Sequence, residues 1–416
     1  MHLCFLIKEV LFYTYTTMSH HLKFRVISIL FLSSISLIAV GQSLPTGQEV
    51  RYNPISTAVP FLTITPDSRH GAMGDVGVAT SPDANSQYLN PSKYAFTEGK
   101  FGFSLSYTPW LRELVNDINL AYMAGYYRLN KNEVIASSLR FFSMGDITLT
   151  GQDQTTIGTV SPSEFAFDVS YSRKLSDRLS GGVAMRYIRS DLSGGIGAET
   201  YTAGNAWATD VSFYYFNKWG GTGDSRSIAA GINFSNIGGK ISYDEGQNKE
   251  FLPANMRLGT TFTNEIDDFN SFSVSLDFNK LLVPTPKTQI TYSSTGEVVV
   301  LPDNTSNQSV ISSIFGSFSD APGGLKEELQ EFTISTGAEY WYNKQFALRA
   351  GYFYEAQNKG NRKFFTAGVG VKMNVAAIDF SYVIPVQRNN PLANTIRFTV
   401  LFDVDSFTKK REPITQ

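Results

Sequence analysis

From Phe101 onward, apolar and small polar residues alternate along the chain with a period of two. In the first such segment, Phe101, Phe103 and Leu105 alternate with glycine and serine. Alternation of this kind is typical of a β-strand with one apolar and one polar face. The pattern returns near residues 118–126, 134–143, 165–171, 179–189, 207–215, 228–234, 254–263, 272–278, 332–342, 346–354, 363–373, 378–384 and 396–402. It predicts about fourteen strands, close to the roughly 9–11 residues that a tilted membrane-spanning strand requires.

The connections between these strands alternate in length. The chain has short turns near residues 130–132, 175–177, 343–344 and 374, and longer loops near residues 145–163, 190–204, 236–252 and 281–331. Outer-membrane barrels have short periplasmic turns, longer external loops and an even number of strands. A soluble β-sandwich also has strands in which apolar and polar residues alternate. Nothing in a sandwich, however, would make its short and long connections follow each other in strict alternation.

These two patterns together predict an all-β chain, a transmembrane antiparallel β-barrel of about 14 strands. We expect the barrel to span residues 99–404, with the long loop 281–331 outside the cell and a tail at 405–416. An even number of strands brings both termini to the periplasmic side of the outer membrane.

Composition supports a barrel over other membrane proteins. The chain of 416 residues is 42% hydrophobic but only 17% charged, whereas soluble domains carry about 25% charged residues. A mean hydropathy of −0.13 is too low for several membrane-spanning helices. A barrel fits both values because half of each strand faces its interior. The net charge of −2 gives no basis for nucleic-acid binding.

The N-terminus has the pattern of an export signal. Met18 is followed by Lys23 and Arg25, an apolar stretch at 26–40 and small residues before Gln42. We predict a signal peptide at residues 18–41, cleaved before Gln42, and an extension at 1–17 upstream of the true start codon. A membrane anchor is the alternative, but the apolar stretch is shorter than the roughly 20 residues that span a bilayer.

Cleavage there would remove the cysteine and most histidines. Cys4 is the only cysteine in the chain, and three of the four histidines precede residue 22, leaving His70. The mature chain would therefore have no disulfide and no thiolate metal site. We predict no cofactor and no metal.

Charged residues occur on the polar side of the predicted strands. Arg140, Asp168, Arg186, Asp210 and Asp277 all lie out of phase with the apolar stripe. In a barrel they would face the lumen, because an arginine on the lipid face at mid-bilayer costs about 2–4 kcal/mol. We expect a polar network that holds the barrel together more than a path for a substrate.

The segment before the barrel, residues 42–98, is not strand-like and predicts a hatch inside the lumen. Its glycines allow close packing of the backbone against a wall. The residues expected to pack the hatch are Pro60, Phe61, Arg69, His70, Gly71, Gly74, Asp75, Asn90 and Pro91.

Two separated motifs carry a family resemblance. The first comprises residues 60–62, 66–75 and 90–91, and the second is the stretch 316–329. Both resemble the PorV (LptO) family of outer-membrane proteins of the Bacteroidota type IX secretion system. The resemblance implies a FadL-like barrel with fourteen strands and an N-terminal hatch, in agreement with the strand count.

The same resemblance implies a role without an enzymatic step. PorV-like proteins receive cargo bearing a C-terminal signal domain from the large outer-membrane translocon pore. They deliver this cargo to a surface complex that contains the PorU-like sortase. Outer-membrane lipid is the other expected neighbour of such a barrel.

Loop 281–331 is the predicted contact surface for these partners. Its sequence predicts two short helices, at 310–315 and 325–329, separated by a break at 320–324. The candidate partner-binding residues are Ile314, Phe315, Phe318, Asp320 and Pro322. Apolar side chains in an external loop need a cover, so they either fold over the barrel mouth or dock a partner.

Two other functions fit part of the sequence. FadL-like transport of a hydrophobic small molecule would use a lateral exit between strands, for which Gly368 and Gly370 are candidates, although strand glycines more often mark close packing. A lipid deacylase would need a histidine to take a proton from serine. Only His70 is present in the mature chain, and a structural hydrogen bond is the expected role for it.

Overall fold

The structure is a computed structural model that describes residues 53–403. Short gaps in the description fall at 114, 152–154, 194–201, 222–223, 245, 247, 288, 293–297, 302–306 and 388–389. The predicted extension, signal peptide, first residues of the hatch and C-terminal tail lie outside the described residues. None of the described helices is long and apolar enough to cross a membrane.

Fourteen antiparallel strands close into a barrel, which confirms the predicted fold class. The strands of the chain are β1 (Phe101–Pro109), β2 (Asn119–Arg128), β3 (Glu133–Ser143), β4 (Ile147–Thr150), β5 (Thr156–Val160), β6 (Ser163–Lys174), β7 (Leu179–Asp191), β8 (Gly204–Gly221), β9 (Asp224–Gly238), β10 (Asn255–Glu265), β11 (Asn270–Leu281), β12 (Gln289–Tyr292), β13 (Val298–Leu301), β14 (Thr333–Tyr342), β15 (Phe346–Tyr354), β16 (Lys363–Lys372), β17 (Ala376–Pro385) and β18 (Ile396–Asp403). Strands β4–β5 and β12–β13 form separate hairpins, and the other fourteen form the wall.

Each wall strand pairs with the next wall strand along the chain, and β18 pairs back with β1. In this closing pair Leu105 lies opposite Val400. Connections at one end of the barrel are short, and those at the other end are long. We call these the short-turn end and the long-loop end. Strand β1 starts and β18 finishes at the short-turn end.

The alternation in sequence becomes an alternation of faces. On β1, Leu105 and Tyr107 point outward and are 47% and 49% exposed, whereas Ser104 and Thr108 point inward and are fully buried. Aromatic and β-branched side chains favour strands, and here they present the apolar outer surface that a membrane requires.

One irregularity interrupts the described barrel wall. The register between β8 and β9 shifts at Asp210, so that this residue faces two residues of β9. Asn236 takes a left-handed backbone conformation there, with φ of 58°. The Asn236 N–H donates to Asp210 Oδ1 at 2.8 Å, and its side chain donates to the carbonyl of Pro253 at 3.0 Å. This β-bulge is therefore closed by hydrogen bonds.

The lumen is filled by the segment 53–98, which we call the hatch. Its short helices are η1 (Pro60–Thr63), α1 (Ser68–Gly71), α2 (Ser86–Leu89) and η2 (Pro91–Phe96). Phe61 and Leu62 pack into a buried cluster with Ile188 of the wall, and Phe61 stacks on Phe142 with ring centroids 6.1 Å apart. The protein core is thus the contact between hatch and wall.

Candidate functional site

Two of the hatch helices, α1 and η2, start at a residue whose side chain caps them. The Asp67 side chain accepts the N–H of His70 at 3.0 Å and begins α1. Asn90 does the same for η2, accepting the N–H of Ser92 at 3.1 Å. Pro91 follows in the first helical position, where its missing N–H costs nothing. Two stretches of the first sequence motif, 66–75 and 90–91, therefore have a local structural role.

Arg69 joins the hatch to the wall by paired charges. Its Nε and Nη2 donate to the two carboxylate oxygens of Glu339 on β14, at 3.0 and 2.9 Å. Its Nη1 donates to Asp83 of the hatch at 2.8 Å. Although burial opposes the charge, Glu339 and Asp83 raise the pKa of Arg69 well above its usual value. Burial likewise opposes ionisation of Asp83, but the charges of His70, Arg69 and Lys93 lower its pKa to about 2.

Wall glycines let the hatch backbone approach closely. A Cβ added to Gly351 would lie 2.1 Å from the main-chain carbon of Met73. A Cβ on Gly368 would lie 2.4 Å from the Cβ of Ala72, and Gly370 lies against the side chains of a neighbouring ion pair. The two glycines considered for a lateral exit are therefore positions of close packing inside the barrel.

His70 lies in a closed hydrogen-bonded group. Its Nδ1 is 2.9 Å from the Asp67 carboxylate, and its Nε2 is 3.1 Å from Thr80 Oγ1. The Thr80 hydroxyl donates to the carbonyl of Gly77 and accepts from Lys93 Nζ at 2.9 Å. His70 is fully buried. The acid, histidine and hydroxyl order resembles a triad, but the hydroxyl proton is engaged and the group is enclosed within the hatch.

The charged residues predicted to face the lumen do so. Arg186 bridges Asp168 and Asp210, with 3.0 Å between Nη2 and Asp210 Oδ2. Asp277 accepts two main-chain N–H groups of the hatch at 2.7 and 3.0 Å. Arg140 donates to a main-chain carbonyl of the hatch at 3.1 Å. They form polar contacts within the wall and between wall and hatch.

The other residues predicted to pack the hatch differ in burial. Phe61, Arg69, His70, Gly71, Gly74, Asn90 and Pro91 are buried, Asp75 is half-buried and Pro60 is exposed.

Two cavities lie on opposite sides of the hatch. The one at the long-loop end has a volume of about 430 Å³ and is lined in part by Tyr88, Arg257 and Arg397. The one at the short-turn end has about 580 Å³ and is lined in part by Trp341 and Lys372. They share no lining residue. Within the described chain, the hatch therefore separates two chambers.

The sequence did not single out Arg257 and Arg397. Both are inward-facing, at 8% and 2% exposed, and on β18 Arg397 alternates with outward Phe398. The same out-of-phase signal that identified Arg140 and Arg186 was available for these two arginines.

Two short helices lie at the long-loop end, where the sequence predicts them. They are α3 (Val310–Gly316) and α4 (Leu325–Gln330). Ile314 is half-buried and packs against the cluster of Leu282 and Val283. Phe315 instead points away, at 75% exposed, and Phe318 is 45% exposed with its ring centroid 5.7 Å from Lys280 Nζ. We call the outward apolar residues of this pair the helix-pair patch, and it comprises Ile311, Phe315, Phe318, Leu325 and Leu329.

The inner side of α4 is held by ion pairs. Lys280 Nζ lies 3.2 Å from Glu328, and Lys359 Nζ lies 3.0 Å from Glu331. Asp320 Oδ2 accepts the N–H of a neighbouring loop residue at 3.2 Å, and Pro322 is exposed. Asp320, Glu328 and Glu331 bring their carboxylates close enough to hold an ion, but Lys280 already pairs with both glutamates and Lys359 pairs with Glu331. The role of this group is to fix α4 to the barrel.

The fold and its lumen define the class of protein. A closed antiparallel barrel with an apolar outer surface and a lumen filled by its own N-terminal segment is an outer-membrane β-barrel protein. The sequence matches the family described as "Type IX secretion system protein PorV" over residues 47–288. This match covers more than half of the chain, and the chain belongs to the PorV family.

Several solved outer-membrane barrels are similar in structure. The Pseudomonas putida toluene transporter TodX has a TM-score of 0.47 at 13% identity, covering 80% of this chain and 96% of that one. The Ralstonia pickettii toluene transporter TbuX has 0.41 at 15% identity, covering 81% and 96%. A Pseudomonas aeruginosa FadL homologue has 0.42 at 12% identity, covering 85% and 99%. No curated protein sequence matches the chain.

Proposed function

We propose that this chain is a carrier in type IX secretion. It binds secreted cargo with C-terminal signal domains at the large translocon pore and takes it to the surface complex of the PorU-like sortase. The short-turn end, where β1 starts and β18 finishes, faces the periplasm, and the long-loop end faces outward.

The observation that carries this proposal is the division of the lumen. The hatch is held by the Arg69–Glu339 ion pair and separates two chambers that share no lining residue. A hatch held in this way favours a function at the outer surfaces of the barrel, such as binding and release of a partner.

The helix-pair patch is the proposed docking surface. Leu325 and Phe315 are 76% and 75% exposed, and such apolar groups on a protein surface are typical of interaction sites. The ion pairs beneath α4 hold the patch in place, which lowers the entropy lost on binding.

Transport of a hydrophobic small molecule is less well supported. A lateral exit needs a break in the wall, whereas the described wall strands pair continuously around the barrel. The bulge at Asn236 is closed by its bond to Asp210. A substrate that enters the cavity at the long-loop end would have to displace the hatch to cross the barrel.

A photocrosslinking amino acid at position 315 tests the proposal in living cells. We expect it to crosslink to secreted proteins that carry C-terminal signal domains, identified by mass spectrometry after affinity purification. The matched control is the same amino acid at position 269, because Phe269 is also exposed, at 56%, but lies at the short-turn end. Equal cargo crosslinking from both positions, or lipid alone from position 315, would refute the proposed docking surface.

A further inference from the structure

The first described residue of the hatch is held at the long-loop end of the barrel. Asn53 is 8% exposed, and its main-chain N–H donates to the carbonyl of Asn358 at 2.9 Å. Its side-chain Nδ2 donates to the carbonyl of Pro286 at 3.2 Å and to Glu327 Oε1 at 2.9 Å. All three acceptors lie in long connections, between β11 and β14 or between β15 and β16. Because an asparagine has one main-chain and two side-chain N–H donors, every donor of this residue is bound to an outer loop.

From this point the hatch crosses the lumen once. Near its start, the N–H of Ala58 donates to the carbonyl of Phe251 at 3.0 Å, in the long connection between β9 and β10. Near its end, the Thr97 hydroxyl accepts from Arg128 Nη2 at 3.0 Å. Arg128 is the last residue of β2 and lies at the short-turn end, where β1 begins. The hatch therefore runs from the long-loop end to the short-turn end.

The direction of the hatch decides from which side the preceding chain arrives. The even number of wall strands places the start of β1 and the finish of β18 at the same end of the barrel. That rule takes no account of a segment that crosses the lumen before β1. Since Asn53 is fastened at the opposite end, the chain before it enters the lumen from the long-loop side.

Both routes by which the preceding segment could return to the short-turn end are obstructed. Inside the barrel, the hatch separates two chambers that share no lining residue among those described. Outside the barrel, the segment would have to cross about 30 Å of hydrocarbon. There its main-chain groups would lack hydrogen-bond partners, and the charges of Glu49 and Arg51 would be costly to bury.

We propose that the chain before Asn53 leaves the barrel at the long-loop end and is displayed outside the cell beside α4. The bond from Asn53 to Glu327 of α4 brings this segment to the helix pair, so it adds to the surface that a partner meets. Signal cleavage at the predicted position releases the new end in the periplasm, and residues 42–52 then pass outward as the barrel closes around the hatch. The inference rests on the proposed function for its orientation, in which the long-loop end faces outward.

This arrangement also limits how the lumen can open. The hatch is fastened to outer loops at its start and is continuous with β1 at its end. It is thus a threaded segment, which cannot swing out of the lumen as a flap hinged at one end would. To leave the barrel at the short-turn end, it would have to draw residues 42–52 back through the lumen.

Labelling of single cysteines on intact cells tests this inference. Cleavage of the predicted signal peptide removes Cys4, the only native cysteine, so each variant carries one thiol. We expect a membrane-impermeant maleimide to label Thr46→Cys on intact cells. It should also label Lys249→Cys, an exposed position in a long connection. Asp268→Cys is the matched control, because Asp268 is exposed in a short turn and its labelling should be lost unless the outer membrane is permeabilised.

Two patterns of labelling separate the inference from the proposed function. Labelling of Thr46→Cys only after permeabilisation, with Lys249→Cys labelled on intact cells, would overturn the inference and leave the outward orientation standing. Labelling of Asp268→Cys on intact cells, with Lys249→Cys protected, would refute the orientation itself and the carrier function that needs it.

An epitope inserted between Gln42 and Ser43 gives a second readout that does not depend on the reactivity of one thiol. We expect an antibody against the epitope to bind intact cells. Binding of the antibody only after the outer membrane is permeabilised would place this segment in the periplasm and would contradict the inference.

Discussion

The hatch and the helix pair are fixed to the same barrel with opposite results. Arg69 of the hatch has both its charge and its donors satisfied inside the lumen. Helix α4 is also held by ion pairs, through Glu328 and Glu331, but its other side exposes Leu325 and Leu329. Satisfied polar groups in a buried site favour one conformation, whereas exposed apolar groups are available to a second molecule.

We therefore expect the contact between hatch and wall to determine the stability of the barrel and the helix-pair patch to determine the binding of a partner. Substitutions in the contact between hatch and wall should lower the free energy of unfolding and open the lumen. Substitutions in the helix-pair patch should leave both unchanged and affect binding. Four changes test the separation, beginning with the one of largest expected effect.

Arg69→Met should have the largest effect on stability. It leaves Glu339 buried without one of its charge partners, and breaking a buried pair costs about 3–5 kcal/mol. We expect urea unfolding, followed by tryptophan fluorescence, to show this loss. Planar-bilayer recordings should show ion conductance through the loosened hatch.

Two variants serve as controls for Arg69→Met. Arg173→Met removes an arginine from an exposed pair with Glu133, 3.4 Å apart, and should change stability by less than about 1 kcal/mol. The double variant Arg69→Met, Glu339→Met removes both charges and should recover part of the loss. A closed, fully stable Arg69→Met protein would show that the ion pair does not hold the hatch.

The buried ammonium of Lys93 should make the stability of the hatch depend on pH. Burial is the main cause that lowers its pKa, from 10.5 to about 8. Between these values the unfolded chain binds more protons, so the free energy of unfolding rises with pH. This contribution to the free energy of unfolding is complete above pH 10.5 and is lost as the pH falls through 8. Its full size is about 3 kcal/mol.

Urea unfolding between pH 7.5 and about 9 measures this slope before most tyrosines titrate, at about pH 10. Lys93→Met should remove it, since methionine cannot bind a proton. The same slope in both proteins would assign it to another group.

Gly351→Ala should have a smaller effect of the same kind. Its Cβ would lie 2.1 Å from the main chain of Met73, so the hatch has to shift, and overpacking costs about 1–3 kcal/mol. Gly181→Ala is the control, because a Cβ there has no neighbour closer than 3.4 Å. If both alanine variants unfold at the same urea concentration, the hatch is less closely fitted than the structure indicates.

The fourteen strands and the parity of their connections could be predicted because both signals are local. The alternation within a segment such as 101–107 shows which face of the strand is apolar. The length of the connection after a strand shows at which end of the barrel that connection lies. The partner of Arg69 could not be predicted, because Glu339 lies 270 residues away in sequence. Nothing local distinguishes that carboxylate from others on the strands.

The helices α3 and α4 were also predicted, but not which of their residues are covered. Ile314 and Phe315 are adjacent in sequence, yet one packs on Leu282 and the other is 75% exposed. The direction in which α3 faces depends on the packing of Ile314 against a cluster whose residues come from distant segments of the chain. The approach of Arg397 to Asp75 could not be predicted for the same reason, since the two residues meet only in the closed barrel.

Phe315→Ser should have the smallest effect on stability and a large effect on binding. Its side chain is 75% exposed, and substitutions of this kind usually change the free energy of unfolding by less than about 0.5 kcal/mol. An aromatic anchor at an interface is worth about 2 kcal/mol or more, so binding of a purified cargo signal domain should weaken by roughly 30-fold. Phe269→Ser, the control at the short-turn end, should bind normally. The opposite result would be a Phe315→Ser protein that unfolds far more easily but binds cargo normally. The helix-pair patch would then be a cover for the barrel mouth, and the cargo-binding surface would lie elsewhere at the long-loop end.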